Sequence, residues 1–302
     1  MLSGFLFIIV GAIFFASQYV PKNFAQQPEP VIYSISMHAG IAILGILFFI
    51  SSLLTIHYSL FTTLAIILAI ITGLVWGIAN RVFINAIFSI GLARSFTLVN
   101  FATIITFLLA ILSLNELRNT NSILVGFAGM SIIIVGCLLI TQTNRANNNT
   151  GEKKGYVYGF IAVTLFGIYN VILTYTLKFS EIPKTILFMG LGILLSSFIT
   201  NRPVTIKRWL KMDKRTHILA LFSGFLWCSG IILTSHSLNL VGASITIPML
   251  NGFVTLFSSF WGLVVFREFQ TINANVRKRA FTIFLSGAFL TIIGIIIISR
   301  IV

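Results

Sequence analysis

The sequence predicts an all-α integral membrane protein with about ten transmembrane helices, built as two inverted five-helix repeats. The first observation is composition: 57% of the 302 residues are hydrophobic and only 9% are charged, whereas a soluble domain carries about 25% charged residues. The second is that the apolar residues form runs of about 20, the length that spans a bilayer. The third is an internal repeat, in which the second half of the chain echoes the first.

The length criterion gives ten predicted spans, the seventh of them short and close behind Pro183. They lie near residues 2–20, 31–54, 60–83, 94–114, 122–141, 155–177, 184–200, 217–236, 244–265 and 281–300. The polar stretches between them are too small for a soluble domain, and the Asn-rich stretch 144–150 is typical of a flexible linker. The predicted division is therefore a first repeat at 1–141, a linker at 142–154 and a second repeat at 155–302.

The internal repeat is clearest between residues 73–116 and 224–268. Its matched residues are Trp76 with Trp227, Gly91 with Gly242 and Asn100 with Asn251, all at an offset of 151, and the terminal acidic pair Glu116 and Glu268. Five spans per repeat is an odd number, so the two repeats must insert with opposite orientations. Repeats related in this way are typical of secondary transporters, in which the substrate site lies where the repeats meet.

The net charge of +14 comes from Lys and Arg residues in short connectors rather than from an exposed basic stripe, so no nucleic-acid partner is predicted. Sixteen of the twenty Lys and Arg residues follow odd-numbered spans. The positive-inside rule then predicts a multi-pass protein of the cell membrane with both termini on the non-cytoplasmic side. The first apolar run, with no preceding Lys or Arg, is expected to be an uncleaved span.

Neither a cofactor, a metal site nor an enzyme is predicted. Cys137 and Cys228 lie inside apolar runs, and no GxSxG, HExxH or metal-spaced His and Cys cluster occurs. Ser235 and Ser237 flank His236, but neighbours on a helix point in different directions and do not form a catalytic pair.

The uncharged polar and aromatic residues inside the spans are the candidates for binding a substrate. They are Gln18, Tyr19, Trp76, Asn80, Asn100, Tyr169, Asn170, Trp227 and Asn251. An amide in lipid is costly unless it is paired, so these amides either bridge helices or face a central cavity and bind a polar, uncharged solute. The two Trp residues are either stacking walls for a flat ligand such as a sugar ring or anchors at the membrane interface.

Candidates for proton coupling or gating are fewer, because all six acidic residues lie at span ends or in connectors. Glu116 and Glu268 could gate, or could simply cap or pair at the end of a span. His38 and His236 could carry a proton or act as neutral hydrogen-bonding residues. Pro248 inside the ninth span is predicted to kink the helix and act as a hinge beside Asn251.

Small residues in the fifth and tenth spans predict close helix packing, either within the bundle or at a homodimer face. They are Gly126, Ala128, Gly129, Gly136, Gly287, Ala288 and Gly294.

Four stretches carry a resemblance to a known family that covers nearly the whole chain. They are FFASQYVPKNF at Phe14–Phe24, LFGIYNVI at Leu165–Ile172, SGFLWCSG around Trp227 and WGLVVFREF at the end of the ninth span. They resemble the drug/metabolite transporter superfamily, and within it the sugar-uptake branch of glucose/ribose porters and the rhamnose transporter. Ala16, Ile168 and Cys228 depart from that branch's pattern and bear on the substrate more than on the fold.

The resemblance implies ten spans made from a duplicated five-span unit and a small-molecule substrate, most of all a sugar, moved by alternating access. Two other functions stay open at this point. One is an exporter of amino acids or drug-like metabolites of the EamA type, and the other is a membrane sensor that does not transport. The direction of movement, and proton symport as against facilitated diffusion or exchange, also stay open.

Overall fold

The computed structural model describes residues 2–25, 29–54, 62–90, 92–116, 119–142, 152–264 and 274–301. Within these ranges the chain forms twelve α-helices and one short 3-10 helix at Pro21–Phe24, and it contains no β-strand. The α-helices are α1 Leu2–Ser17, α2 Pro30–Leu53, α3 Thr63–Ile90, α4 Leu92–Val99, α5 Ala102–Leu114, α6 Thr120–Gln142, α7 Glu152–Leu177, α8 Ile182–Thr200, α9 Pro203–Leu210, α10 Lys214–Val241, α11 Ala243–Val264 and α12 Ala274–Ser299.

Eight of these helices are long and apolar enough to cross a membrane: α2, α3, α6, α7, α8, α10, α11 and α12. Two more, α1 and α5, are apolar but shorter. The prediction of a multi-pass α-helical membrane protein is therefore confirmed, while the number of ten spans and their inverted arrangement stay predictions.

The predicted fourth span differs from the observed helices, because α4 ends at Val99 and α5 begins at Ala102. The Asn100 side chain donates from Nδ2 to the Phe96 carbonyl oxygen at 3.1 Å, where a backbone N–H would bond in a regular helix. The following backbone hydrogen bonds join residues three apart instead of four, such as Phe101 N to Leu98 O at 2.9 Å. The matching helix of the predicted second repeat, α11, contains Pro248 and is uninterrupted from Ala243 to Val264.

The short helix α9 was not predicted from the sequence. It lies in the polar connector between α8 and α10, and none of its residues is buried. Trp209 Nε1 donates to Ser36 Oγ on α2 at 2.7 Å, and Arg208 forms an ion pair with Glu29, just before α2. These two contacts hold the connector against α2 and the residue that precedes it.

Two sets of helix contacts build the core of the bundle. Helix α3 packs on α7 and α8, and helix α10 packs on α1 and α2. Gly73 of α3 faces the Met189 backbone of α8, and Gly224 of α10 faces the Met37 backbone of α2. A Cβ atom at either glycine would lie well under 3 Å from the facing carbonyl oxygen. The absence of side chains at these two positions is what permits such close approach.

Helices α6 and α12 pack against each other at the side of this core. A Cβ at Gly136 would lie 2.6 Å from the Gly287 carbonyl oxygen, and one at Gly287 would lie 2.6 Å from that of Gly136. Gly129 and Gly294 face each other in the same way. The small residues of the predicted fifth and tenth spans therefore make an intramolecular contact, and a homodimer stays a prediction.

Two basic stretches, at Lys22 and at the start of α7, lie at the same end of the bundle. Lys22 Nζ lies 3.6 Å from the ring centroid of Phe88, near the end of α3, and Gly155 near the start of α7 contacts Ser89 and Ile90. Burial lowers the pKa of Lys22 to about 8. At the opposite end, Gly4 near the start of α1 contacts Val241 at the end of α10.

Candidate substrate-binding cavity

A cavity lies in the middle of the bundle, between α1, α3, α7, α10, α11 and the interruption between α4 and α5. Its volume is about 100 Å³. Eight of the nine residues predicted to bind a substrate line it: Gln18, Tyr19, Trp76, Asn80, Tyr169, Asn170, Trp227 and Asn251. Asn100 is not part of the lining, but it donates from Nδ2 to Thr255 Oγ1, a wall residue, at 2.8 Å.

Aromatic rings form most of the cavity wall. Trp76 and Trp227 lie with ring centroids 4.0 Å apart at an angle of 44°. Both side chains are buried, at 4% and 3% exposure, so they lie in the bundle interior rather than on a lipid-facing or interfacial surface. A flat apolar face, such as the C–H face of a sugar ring, can pack on rings of this kind.

Four wall aromatics were missed by the sequence analysis: Phe15, Phe83, Phe96 and Phe166. Helical spacing offered a signal for two of them, because Phe15 precedes Tyr19 by four residues and Phe166 precedes Tyr169 by three, which puts each pair on one helix face. The threonines Thr234 and Thr255 were also missed. No sequence pattern distinguishes them from the many threonines that bond to their own helix.

A chain of buried hydrogen bonds leads away from the cavity. Tyr19 Oη donates to Asn80 Oδ1 at 2.7 Å, and Asn80 Nδ2 lies 3.0 Å from His38 Nε2. His38 Nδ1 in turn lies 2.6 Å from Ser197 Oγ on α8. All four side chains are buried, and only the first two line the cavity.

The matched residues Asn100 and Asn251 bridge helices by reciprocal bonds. Asn100 binds Thr255 across the bundle, and Asn251 Nδ2 donates to Thr103 Oγ1 at 3.0 Å. Asn170 likewise donates from Nδ2 to Thr106 Oγ1 at 3.1 Å. For Asn170 and Asn251 the two interpretations of the sequence are compatible, because each side chain bridges helices and also lines the cavity.

Two cavity-lining residues carry buried polar atoms that have no hydrogen-bond partner in the part of the chain that the structure describes. They are the Gln18 Oε1 atom and the Tyr169 hydroxyl. Gln18 and Tyr169 are also matched in the repeat, at the same offset of 151. A buried polar atom without a partner costs free energy, so a ligand that supplies the partner gains binding free energy at these two atoms.

Three of the four coupling and gating candidates, Glu116, His38 and His236, lie outside the cavity wall. Glu116 accepts from the backbone N–H groups of Ala243 at 3.0 Å and Ser244 at 2.8 Å, and so caps the first turn of α11. His236 is exposed on α10, with its ring centroid 5.4 Å from that of Phe7. His38 lies behind Asn80, and Glu268 lies outside the described residues.

Charged side chains are absent from the cavity wall as the structure describes it, which holds no Asp, Glu, Lys or Arg. The described residues also contain no group of three His, Cys, Asp or Glu side chains that could hold a metal ion. Cys137 and Cys228 are both buried. The cavity therefore offers aromatic faces and uncharged hydrogen-bonding groups.

A helical membrane bundle with an uncharged, aromatic and amide-lined central cavity is the arrangement of a carrier for small neutral molecules. The family model described as "Sugar transport protein" matches residues 18–211 and 203–294. This chain therefore belongs to the sugar transport protein family.

Individual proteins are similar to this chain as well. The "Putative sugar uptake protein lmo0169" of Listeria monocytogenes serovar 1/2a is 23% identical over 241 residues, which cover 78% of this chain and 79% of that protein. A solved crystal structure aligns with a TM-score of 0.64 and 12% identity, over 96% of this chain and 98% of the other. The second similarity shows the fold alone.

Proposed function

We propose that the chain is a secondary transporter that moves a small, polar, uncharged metabolite, most specifically a sugar, through the central cavity. The observation that carries this proposal is the pairing of aromatic walls with two unpartnered buried polar atoms, on Gln18 and Tyr169. A sugar ring has C–H faces that pack on aromatic rings and hydroxyl groups that both donate and accept hydrogen bonds. It matches both parts of this wall.

Alternating access between two inverted halves is supported by the reciprocity of the helix contacts. The contact of Gly73 on α3 with Met189 on α8 has a counterpart, at offsets of 151 and 152, in the contact of Gly224 on α10 with Met37 on α2. The exchange of α3 for α10 and of α8 for α2 is what a pseudo-two-fold axis in the membrane plane requires. The cavity lies among the helices so exchanged.

A transport path is favoured by a second cavity of about 380 Å³ at the end of the bundle opposite the basic connectors. Leu177 lines it, and Leu173, one turn earlier on α7, lines the central cavity. The two cavities therefore lie along one face of α7, one helical turn apart at these two residues. By the positive-inside rule we assign this second cavity to the non-cytoplasmic side.

The decisive experiment is uptake of radiolabelled D-glucose, D-ribose and L-rhamnose into proteoliposomes, with and without an imposed proton gradient. Accumulation above the external concentration indicates proton symport, and equilibration without accumulation indicates a facilitator. No movement of any sugar, in protein shown to be folded, would overturn the sugar proposal and favour an exporter of drug-like metabolites. The cavity does not favour amino acids, because an α-ammonium and an α-carboxylate would face a wall with no opposite charge.

The site assignment is tested by Tyr169→Phe. Losing the hydroxyl should raise the KM for the transported sugar by roughly tenfold, the upper range for one net hydrogen bond. Tyr175→Phe is the matched control, because Tyr175 lies on the same helix with 42% of its surface exposed on the outside of the bundle. Equal KM values for the two variants would remove Tyr169 from the site.

A membrane sensor that does not transport makes a different prediction in the same preparation. It binds a sugar, measured by quenching of Trp76 and Trp227 fluorescence, without moving it. Binding without uptake would replace the transporter proposal with this one.

A further inference from the structure

The chain Tyr19–Asn80–His38–Ser197 has a defined direction of hydrogen-bond donation. An Asn amide offers a donor at its nitrogen and an acceptor at its oxygen, and Asn80 uses the oxygen for Tyr19 and the nitrogen for His38. His38 Nε2 must then be unprotonated to accept. A neutral imidazole carries its one proton on the other nitrogen, so Nδ1 donates to Ser197 Oγ, 2.6 Å away.

This direction decides what Tyr19 offers to the cavity. Because its only hydroxyl proton is committed to Asn80 Oδ1, the Tyr19 oxygen can only accept a hydrogen bond from a ligand. If His38 carried its proton on Nε2, or on both nitrogens, Asn80 would have to turn its oxygen towards His38 and its nitrogen towards Tyr19. The Tyr19 proton would then be free to point into the cavity, and the site would offer a donor.

We infer that His38, which does not line the cavity, is a positioning residue that fixes the Asn80 amide so that Tyr19 accepts a hydrogen bond from a substrate hydroxyl. The inference rests on the proposed transport of a sugar and deepens it by naming what one wall group recognises. It also gives His38 a role other than carrying the coupling proton, since a ring with both nitrogens committed in this way remains neutral while Asn80 donates to it.

The geometry supports a fixed rather than a mobile ring. His38 is 1% exposed and Asn80 is 0% exposed, and the His38 ring lies 5.7 Å from Trp76 in a tilted arrangement. Arg81, the next residue on α3, is engaged by the Thr200 carbonyl oxygen at the end of α8. The ring therefore lies between α3 and α8, the pair held in close contact by Gly73.

The first test compares four variants by their kinetics for whichever of D-glucose, D-ribose and L-rhamnose the wild-type protein moves fastest. His38→Leu should raise KM by about tenfold and leave the maximal rate within about threefold, and Asn80→Ala should do the same. The double variant should be no worse than Asn80→Ala alone, because both changes remove one unit. His38→Gln should restore KM to within about threefold of wild type, since its oxygen can accept from Asn80 and its nitrogen can donate to Ser197.

Two kinetic results would overturn the inference. The first is a double variant whose rise in KM is the product of the two single rises, because His38 would then not act through Asn80. The same holds if His38→Gln keeps KM but abolishes proton-driven accumulation, because the ring would then carry the proton.

A second measurement does not depend on transport. Nitrogen NMR of protein labelled at histidine, with the His38 signal assigned by its loss in His38→Gln, should report a neutral ring protonated on Nδ1. A ring protonated on Nε2 or on both nitrogens would overturn the inference. If the wild-type protein moves none of the three sugars, the proposed function fails, and this measurement still decides the arrangement of the network.

Discussion

The two predicted repeats have matched helices but place different polar groups at the cavity. Trp76 and Trp227 occupy matched positions and meet at 4.0 Å, whereas Asn80 on α3 is matched by the aliphatic Ile231 on α10. The hydrogen-bonded chain to His38 and Ser197 therefore starts only from the first repeat. The polar groups that line the cavity therefore differ between the predicted repeats, with Tyr19 and Asn80 in the first and Tyr169 and Asn170 in the second.

The same contrast applies to the matched helices around Asn100 and Asn251. The first repeat interrupts its helix without a proline, because the Asn100 side chain takes the Phe96 carbonyl. The second contains Pro248 within the first two turns of α11, and the helix continues. Pro248 is the sixth residue of α11, past the four N–H groups that have no partner within a helix, so it removes the bond to the Ser244 carbonyl without ending the helix.

The largest expected effect tests the shared frame. Gly73→Ala and Gly224→Ala should each lower the free energy of unfolding by about 1–3 kcal/mol, because the new methyl group meets backbone on the facing helix. Thermal unfolding of detergent-solubilised protein measures this. Gly252→Ala is the control, since a Cβ there would meet only side-chain atoms, the nearest at 3.1 Å. A loss at Gly73 but none at Gly224 would break the equivalence of the two repeats.

A smaller effect is expected at the matched residues Asn100 and Asn251, and it should differ in kind between them. Asn251→Ala should raise the KM for the transported sugar by several-fold, because Asn251 lines the cavity. Asn100→Ala should act mainly on stability, by about 1–2 kcal/mol, because it loses bonds to Thr255 and Phe96 behind the wall. The measurements are uptake kinetics and thermal unfolding on the same preparations. If Asn251→Ala kept the wild-type KM while folded, the assignment of Asn251 to the site would be wrong.

The smallest expected effect compares the starts of α10 and α3, which are Asp213 and Thr62 at the offset of 151. Asp213 accepts from Thr216 N at 2.8 Å, and hydrogen bonding from Thr216 holds the pKa of this carboxyl below its ordinary value of 3.8. A lowered pKa in the folded state means that the ionised cap stabilises the protein above the unfolded pKa, and that this stability is lost as the pH falls below 4.

Asp213→Asn should therefore unfold at the same temperature as wild type at pH 7, since Asn is also a good N-cap. When the pH is lowered to about 3, the unfolding temperature of Asp213→Asn should fall less than that of wild type. Thr62→Asn should leave the pH dependence unchanged, because no carboxylate is removed. An identical pH dependence in wild type and Asp213→Asn would contradict the prediction.

The sequence predicted the membrane-spanning helices well, because length and apolar character are local properties that lipid enforces directly. It also predicted eight residues that the fold gathers around one cavity, because the repeat drew attention to matched polar positions such as Gln18 and Tyr169. It could not predict that His38 binds Asn80, since that contact joins α2 to α3 through a register that only packing defines. The interruption at Asn100 was not predicted for a similar reason. An Asn side chain that takes a backbone carbonyl from its own helix leaves a weaker signal in the sequence than a proline does.

The cavity wall without charged side chains has an electrical consequence. Moving one elementary charge across a membrane against 100 mV involves about 2.3 kcal/mol, but a neutral solute that binds in an uncharged central cavity carries no charge across. A potassium diffusion potential across proteoliposomes should then neither speed nor slow facilitated sugar entry. A current that accompanies sugar entry would identify a travelling ion, and its reversal potential would name that ion.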